Sequence, residues 1–415
     1  MAKDKRAAKA AKPAKAVAKE SKEAKEAKDA KEARAPAEPK DHKVHKEAAE
    51  EGKLAATTVP ATTPATTAPA TTDPVPAGKL KFAIYWGNAC GGCDVSLVDL
   101  DAKILDVVAI ADIILWPVAM DFKYHDVEAM ADGSIAVTLF NGGVKNSETE
   151  HIARMLRQKS GIVVAYGACA CFGGIPGLAN ITDRDGVFDK AYRTTFSTVN
   201  PEGVIPQTEW KVPEGTLTLP EIYDHVRPLN QVIDVDYYLP GCPPVQERIL
   251  DLVGAVVAFV KEGKPLPPKG TVIAHEKSLC EECPRERKDK RIPRIVRIHE
   301  LKDDYKTCLL EQGVICLGIS TRAGCNARCI NVNMPCRGCF GPTPGVIDQG
   351  ASTLSAIASI LDLGPDELKN TEADIERLMA QVRDPLGYFY RYTLASSLLK
   401  YARKERPKEQ GGESR

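Results

Sequence analysis

The run Lys79-Leu-Lys-Phe-Ala-Ile-Tyr-Trp86 leads into Gly87-Asn-Ala-Cys90-Gly-Gly-Cys93. It is short, apolar and rich in β-formers, so it predicts a buried strand; Gly87 opens a turn that carries both cysteines. Asp94-Val-Ser-Leu-Val-Asp-Leu continues at helical spacing to about residue 108. The pattern then repeats. Ala111-Asp-Ile-Ile-Leu-Trp116 predicts a second strand, stopped by Pro117, and residues 134–140 alternate like a strand with one open face. Asn146 can cap a helix running to Lys159, with Glu148 and Glu150 near its positive end. Gly161-Ile-Val-Val-Ala-Tyr166 predicts another buried strand, followed by Gly167-Ala-Cys169-Ala-Cys171-Phe-Gly-Gly174. Val235-Asp-Tyr-Tyr-Leu239 is the last, followed by Pro240-Gly-Cys242-Pro-Pro244 and a helix over 245–261.

This alternation predicts an α/β fold: a doubly wound parallel sheet with short loops. Ligands of such sheets sit at the carboxyl ends of the strands. Cys90, Cys93, Cys169 and Cys242 each follow a predicted strand, so loops distant in sequence converge on one edge. Cys90-x-x-Cys93 alone also suits a redox pair or half a zinc site. Cys171 lacks a partner in any division into fours and reads as a small buried residue.

Eight of the 13 cysteines lie further on: Cys280, Cys283, Cys308, Cys316, Cys325, Cys329, Cys336 and Cys339. Eight thiolates are enough for two cubane iron–sulfur clusters. The stretch from Cys325 to Cys339 is rich in Gly, Pro and Asn and has no sustained period. A metal core can supply the shape that a hydrophobic pattern does not. Paired Cys-x2-Cys units also build zinc ribbons. Zinc, however, has no use for several sites in series.

The chain has 415 residues, 43% hydrophobic, which allows one or two domains with a real core. Lys+Arg and Asp+Glu both number 56, but residues 1–55 hold 16 basic against 11 acidic side chains. The rest carries the opposite imbalance. Residues 1–78, a Lys/Ala-rich tail and an Ala/Thr/Pro linker, bury too little surface to fold alone. They read as a solvated extension, or else as a basic arm for nucleic acid, polyphosphate or an acidic partner. The start carries no apolar signal core and no twin arginine, and the longest apolar run, 252–260, is too short to span a bilayer. A cytoplasmic protein with metal-bound cysteines is expected.

Tyr85-Trp-Gly-Asn-Ala-Cys-Gly-Gly-Cys, Gly167-Ala-Cys-Ala-Cys-Phe-Gly-Gly-Ile-Pro-Gly and Pro240-Gly-Cys-Pro-Pro resemble the small, electron-transferring subunit of nickel–iron hydrogenases. The resemblance spans about residues 80–340. It implies a flavodoxin-like domain over 79–265 whose proximal [4Fe-4S] cluster is held by Cys90, Cys93, Cys169 and Cys242 and faces the nickel–iron site of a large subunit. It implies a two-cluster domain over 270–345. Cys280, Cys283, Cys308 and Cys316 match the distal site, with Cys280 where many members have histidine; His275 and His299 are therefore not expected as ligands. Cys325, Cys329, Cys336 and Cys339 match the medial site, where a fourth cysteine implies [4Fe-4S] and not [3Fe-4S]. Pro335-Cys-Arg-Gly-Cys-Phe-Gly-Pro342 is similar to the cytoplasmic methyl-viologen-reducing hydrogenases that do not reduce the deazaflavin coenzyme. That subgroup implies an iron–sulfur linker subunit and heterodisulfide reductase as partners. The related cluster subunit of respiratory complex I and of membrane-bound hydrogenases shares two motifs, but usually has adjacent cysteines at the first and lacks the eight-cysteine region.

No residue of this chain is expected to be catalytic. The end, 346–405, predicts helices at 353–363, 373–382 and 386–403, with Thr371-Glu-Ala-Asp374 as a capping box, closing over the cluster region.

Overall fold

The computed structural model describes residues 78–399 apart from 122, 302–303 and 363–371. The tail, all but one residue of it, and the proposed Thr371 cap lie outside the described residues.

Five strands form one parallel sheet: β1 (Leu80–Trp86), β2 (Ala111–Leu115), β3 (Ile135–Asn141), β5 (Ser160–Tyr166) and β9 (Tyr237–Leu239). Their order is β2-β1-β3-β5-β9, with parallel pairing throughout. The chain starts near the middle and winds both ways, the doubly wound pattern expected. Both faces are covered. On one, Phe82, Ile84, Leu139 and Val164 pack with Leu97 of helix α1 (Gly92–Val98) and with Ile249, Leu252 and Val256. On the other, Tyr85, Phe140 and Val163 meet Ile152 and Leu156 of a second helix. That helix, α2 (Ser147–Lys159), is capped as expected: the Thr149 amide donates to Asn146 Oδ1 at 2.7 Å.

Several expectations fail for identifiable reasons. The 134–140 strand has no open face, because β3 is central between β1 and β5 and is buried on both sides. The first helix stops at Val98. Asp101 takes a positive φ of 51°, and a separate helix resumes at Ile104–Ile110. The loops are not all short. Between β5 and β9 the chain makes a long excursion containing β6 (Glu209–Val212), β7 (Gly215–Thr218) and β8 (Ile222–Arg227). β8 pairs with β4 (Val144–Asn146), and β6 pairs with β7 as an exposed hairpin. β6 (Glu-Trp-Lys-Val) and residues 216–219 (Thr-Leu-Thr-Leu) alternate polar and apolar, but each run is only four residues long.

After helix α4 (Gln246–Glu262) the regular elements become sparse. (Helix α3, Ala168–Phe172, precedes it and enters below.) From 275 to 345 the described chain consists of short 3₁₀ turns, isolated bridges and one four-residue helix. The end then packs on it. Helix α5 (Gln349–Ile360) starts earlier than expected because the Asp348 side chain accepts from the Ala351 amide. A short helix follows at Glu372–Met379. Of the helix expected over 386–403, the described residues up to 399 hold only α6 (Pro385–Phe389) and a 3₁₀ turn; the chain turns after α6, and Tyr390 and Leu394 enter the same core as Ile357, Leu317 and Ala327.

Candidate metal centres

The register brings four strand ends into one row: Trp86 opposite Asn141, Asn141 opposite Tyr166, and Tyr166 opposite Leu239. The cysteine loops begin just beyond it. The turn after β1 is tied to the end of β3 by Gly87 N–H to Asn141 O (2.8 Å) and Asn88 N–H to Gly143 O (3.0 Å). The turn after β5 is tied to β9 by Gly167 N–H to Leu239 O (2.8 Å) and Ala168 N–H to Gly241 O (2.7 Å). Cys93 therefore sits in the first turn of α1, Cys169 on α3 and Cys242 past β9, with Cys90 exposed at the rim.

Two glycines are required here by space as well as by backbone. A Cβ on Gly167 (φ 86°) would stand 2.3 Å from Cys93 Sγ, and one on Gly174 (φ 58°) would stand 2.5 Å from Cys169 Sγ. Only glycine lets the chain pass so close to sulfur in these conformations.

The thiols report one another's presence. Burial pushes Cys169 up to about 12, with Cys242 and Cys90 adding to it. Burial, then Cys169 and Cys242, also raises Cys93. Burial and Cys90 raise Cys242, against a hydrogen bond from the Tyr392 hydroxyl. The four expected proximal residues are thus brought together. Cys171 is not turned toward them: it is buried and its Sγ donates to Ala165 O at 3.2 Å.

Cys280, Cys283, Cys308 and Cys316 line a single cavity of about 420 Å³. Burial, Cys316 and Cys308 push Cys280 up to about 11, while Arg287 opposes. Cys339 is pushed up to about 12 by burial and then by Cys325, Cys242 and Cys329. Cys336 is raised well above the usual range by burial, Cys316 and Cys339. Cys336 thus neighbours both Cys316 and Cys339, and Cys339 neighbours Cys325, Cys329 and Cys242.

The groups also touch at two joints. Cys242 lies close enough to Cys339 for its thiol to raise the Cys339 thiol and its backbone to oppose that rise. The Cys336 amide donates to Cys316 Sγ at 3.3 Å. Cys336 and Cys339 therefore lie between the strand-edge cysteines and the cysteines of the cavity.

A buried thiol raised to about 12 is neutral at pH 7. Groups of four become thiolates only around a core whose positive charge offsets burial and mutual repulsion. Sulfur-only donor sets in fours, with backbone amides aimed at sulfur, fit iron–sulfur clusters. His275 pairs through Nδ1 with Glu282 Oε1 at 2.9 Å, and His299 lies in the turn Ile298–Glu300.

Two neighbours of the sites escaped sequence reasoning. Asp94, next to Cys93, is buried and accepts from Trp116 Nε1 (2.9 Å) and Asn141 Nδ2 (3.0 Å). Its position directly after a candidate ligand, in a first helical turn, was the available signal. Tyr392 had none: it reaches Cys242 only because the chain turns after α6, where Gly174 N–H donates to Tyr392 O at 3.0 Å.

The family described as NADH ubiquinone oxidoreductase, 20 Kd subunit, matches residues 90–256. An F420-non-reducing hydrogenase iron-sulfur subunit of Archaeoglobus profundus is 43% identical over 288 residues, covering 68% of this chain and 88% of that one. An F420-non-reducing hydrogenase subunit of Methanothermobacter marburgensis is 38% identical over 78% of this chain and 97% of that one. A vhu-type F420-non-reducing hydrogenase subunit of Methanocaldococcus jannaschii is 36% identical over 75% and 93% respectively. No helix among the described residues is long and apolar enough to cross a membrane. This chain belongs to the family of F420-non-reducing hydrogenase iron–sulfur subunits, and is an electron-transfer component of an oxidoreductase complex.

Proposed function

We propose that the chain carries electrons between the nickel–iron centre of a large subunit and a soluble acceptor through three [4Fe-4S] clusters in series. Cys90, Cys93, Cys169 and Cys242 hold the proximal cluster, and Cys325, Cys329, Cys336 and Cys339 the medial one. Cys280, Cys283, Cys308 and Cys316 hold the distal one. Residues 79–265 form the proximal domain, 270–345 the two-cluster domain, and 346–405 close over it. The observation that carries this reading is the pair of joints, Cys242 to Cys339 and Cys336 to Cys316, which string the three groups in one order.

Bound in these shells, a four-iron cluster takes up and passes on one electron at a time. The chain itself fixes the order and spacing of the thiolates. The Cys336 amide donates to Cys316 Sγ, and the Cys242 backbone and the Tyr392 hydroxyl lie where they favour the thiolates of Cys339 and Cys242, which favours the more negative, reduced charge state. Buried Leu317 and Phe340 help keep water from the relay. All-thiolate four-iron clusters suit a low-potential soluble acceptor, and the heterodisulfide reductase system, reached through an iron–sulfur linker subunit, fits that role. Free cysteines in this number suit the reducing cytoplasm.

The large subunit docks at the strand-edge end. Trp86, Val95 and Ile175 are exposed beside the proximal four. Trp210 and Leu217 face solvent opposite each other on the β6–β7 hairpin. A two-stranded ribbon is marginal alone, and exposed apolar area of this kind marks a partner surface. Anaerobic purification with native partners tests the reading: a nickel-containing subunit should co-purify and support H2-dependent viologen reduction. Recovery without any nickel-containing partner would contradict it.

A further inference from the structure

Between Cys283 and Cys308 the chain concentrates positive charge. Residues 284–297 hold seven Lys/Arg against two Asp/Glu, whereas residues 56–415 as a whole hold 40 against 45. The segment is held rigidly. Arg285 is buried and donates through Nη1 to Thr307 O at 2.9 Å, bracing one end. Ile292 is buried at the other, with its amide on Ile360 O at 2.9 Å. In the middle, the Glu311 carboxylate accepts from the backbone amides of Lys288 and Asp289 at 2.8–2.9 Å. Glu311 thus spends its oxygens on main chain. Arg287, Lys288, Lys290 and Arg291 are exposed along this fixed backbone, and Arg287, Lys290 and Arg291 line the mouth of the cavity that holds the four distal cysteines.

Beside this lip lies an open groove of about 370 Å³ in which Pro284, Tyr305, Ile330 and Val332 alternate with Arg285, Asn331 and Asn333; Tyr305 and Val332 are well exposed. An apolar centre next to a charged rim is the anatomy of a protein–protein interface. A nucleic acid would use the cations but not the groove. Opposite charge around two redox centres raises encounter rates and aligns them.

We infer that the 284–291 lip is the docking site for an electron-carrier protein or subunit whose surface around its own cofactor is rich in carboxylates. This rests on the distal cluster proposed above, and deepens it by naming the chemistry of the partner.

The test uses the intact complex, reduced by H2, and an acidic ferredoxin as probe, with reduction followed by stopped flow as NaCl is raised. In the unaltered complex the rate constant falls steeply with salt, and basic cytochrome c is reduced slowly at low salt. With Arg287→Glu and Lys290→Glu together, reduction of the ferredoxin at low salt falls about tenfold or more and its salt dependence flattens. Methyl viologen reduction by the single variant Lys290→Glu does not fall. The pair Arg287→Gln and Lys290→Gln gives a smaller change in the same direction, and replaces the reversal should that variant not fold. Equal salt dependence in variant and unaltered complex, with distal EPR signals intact, would overturn the lip and leave the relay standing. So would tight binding of a short RNA that the reversal abolishes while ferredoxin reduction is unchanged. Iron too low for a distal cluster contradicts the relay itself, and the lip falls with it.

Discussion

In the sheet, β1 and β3 pair over five residues and β3 and β5 over six, and Ala83, Phe140, Val163 and Val164 are fully buried between the two helical layers. Between residues 279 and 341 the described chain has no strand longer than an isolated bridge, and its core includes Cys316 and Cys336 beside Leu317 and Ile330. The first region has enough apolar contact and enough paired backbone to keep its shape alone. The second uses sulfur as core material and leaves its polymer lightly cross-linked. On the proposed reading, that contrast separates two roles for metal: Cys90, Cys93, Cys169 and Cys242 decorate a finished sheet, whereas the cysteines of 280–339 belong to a region that bound clusters would complete.

The largest effect should come from removing iron. Anaerobic chelation is expected to strip hydrogen-exchange protection from the Leu317 and Arg322 amides, which pair with Cys336 O and Gly341 O at 3.0 Å. Amides of β3 and β5 should keep theirs. Simultaneous loss in both regions would erase the contrast.

On the sheet side, Leu156→Ala should cost about 2–5 kcal/mol, the usual range for a buried leucine. Leu156 is fully buried against the sheet. Iron content should not change; loss of medial or distal iron in this variant would mean that the two regions fold as one.

Asp236 gives a smaller, pH-dependent effect. Burial alone would raise its carboxyl. Lys269 and Arg157, at 2.6 Å each, and the Val163 amide at 2.8 Å outweigh burial and hold it below the usual carboxylate range. Its stabilisation is complete above the unfolded value of about 4 and is lost as pH falls through the folded value. Asp236→Asn should cost roughly 2–3 kcal/mol near neutrality, less than a fully buried pair because Lys269 is exposed. It should also flatten the acid limb of the denaturant midpoint against pH. An unchanged limb would sink the assignment.

Tyr392→Phe should leave stability almost unchanged and lower the midpoint potential of the proximal cluster alone, since one donor to the Cys242 sulfur is lost. Potentiometric EPR reads this. A shift in all three signals, or in none, would deny Tyr392 that role.

The same contrast explains what the sequence made legible. β1, β2, β5 and the helix capped by Asn146 are short-range patterns, and each lies within a few residues of its expected place. β3 misled because its alternation mimics a half-exposed strand, whereas helices distant in sequence cover both faces of the sheet. The grouping of cysteines followed motif order. The joints between groups did not, because Cys242 and Cys339 meet through packing that no local period encodes. Tyr392 was invisible for the same reason: its partner lies far back along the chain, past the sheet.

The relay is tested most directly by quantitative iron and Mössbauer analysis of the anaerobically isolated subunit in its complex. The account predicts about twelve irons on this chain, all in four-iron clusters. About eight irons, a three-iron component, or zinc at either site of the 280–339 region would contradict it.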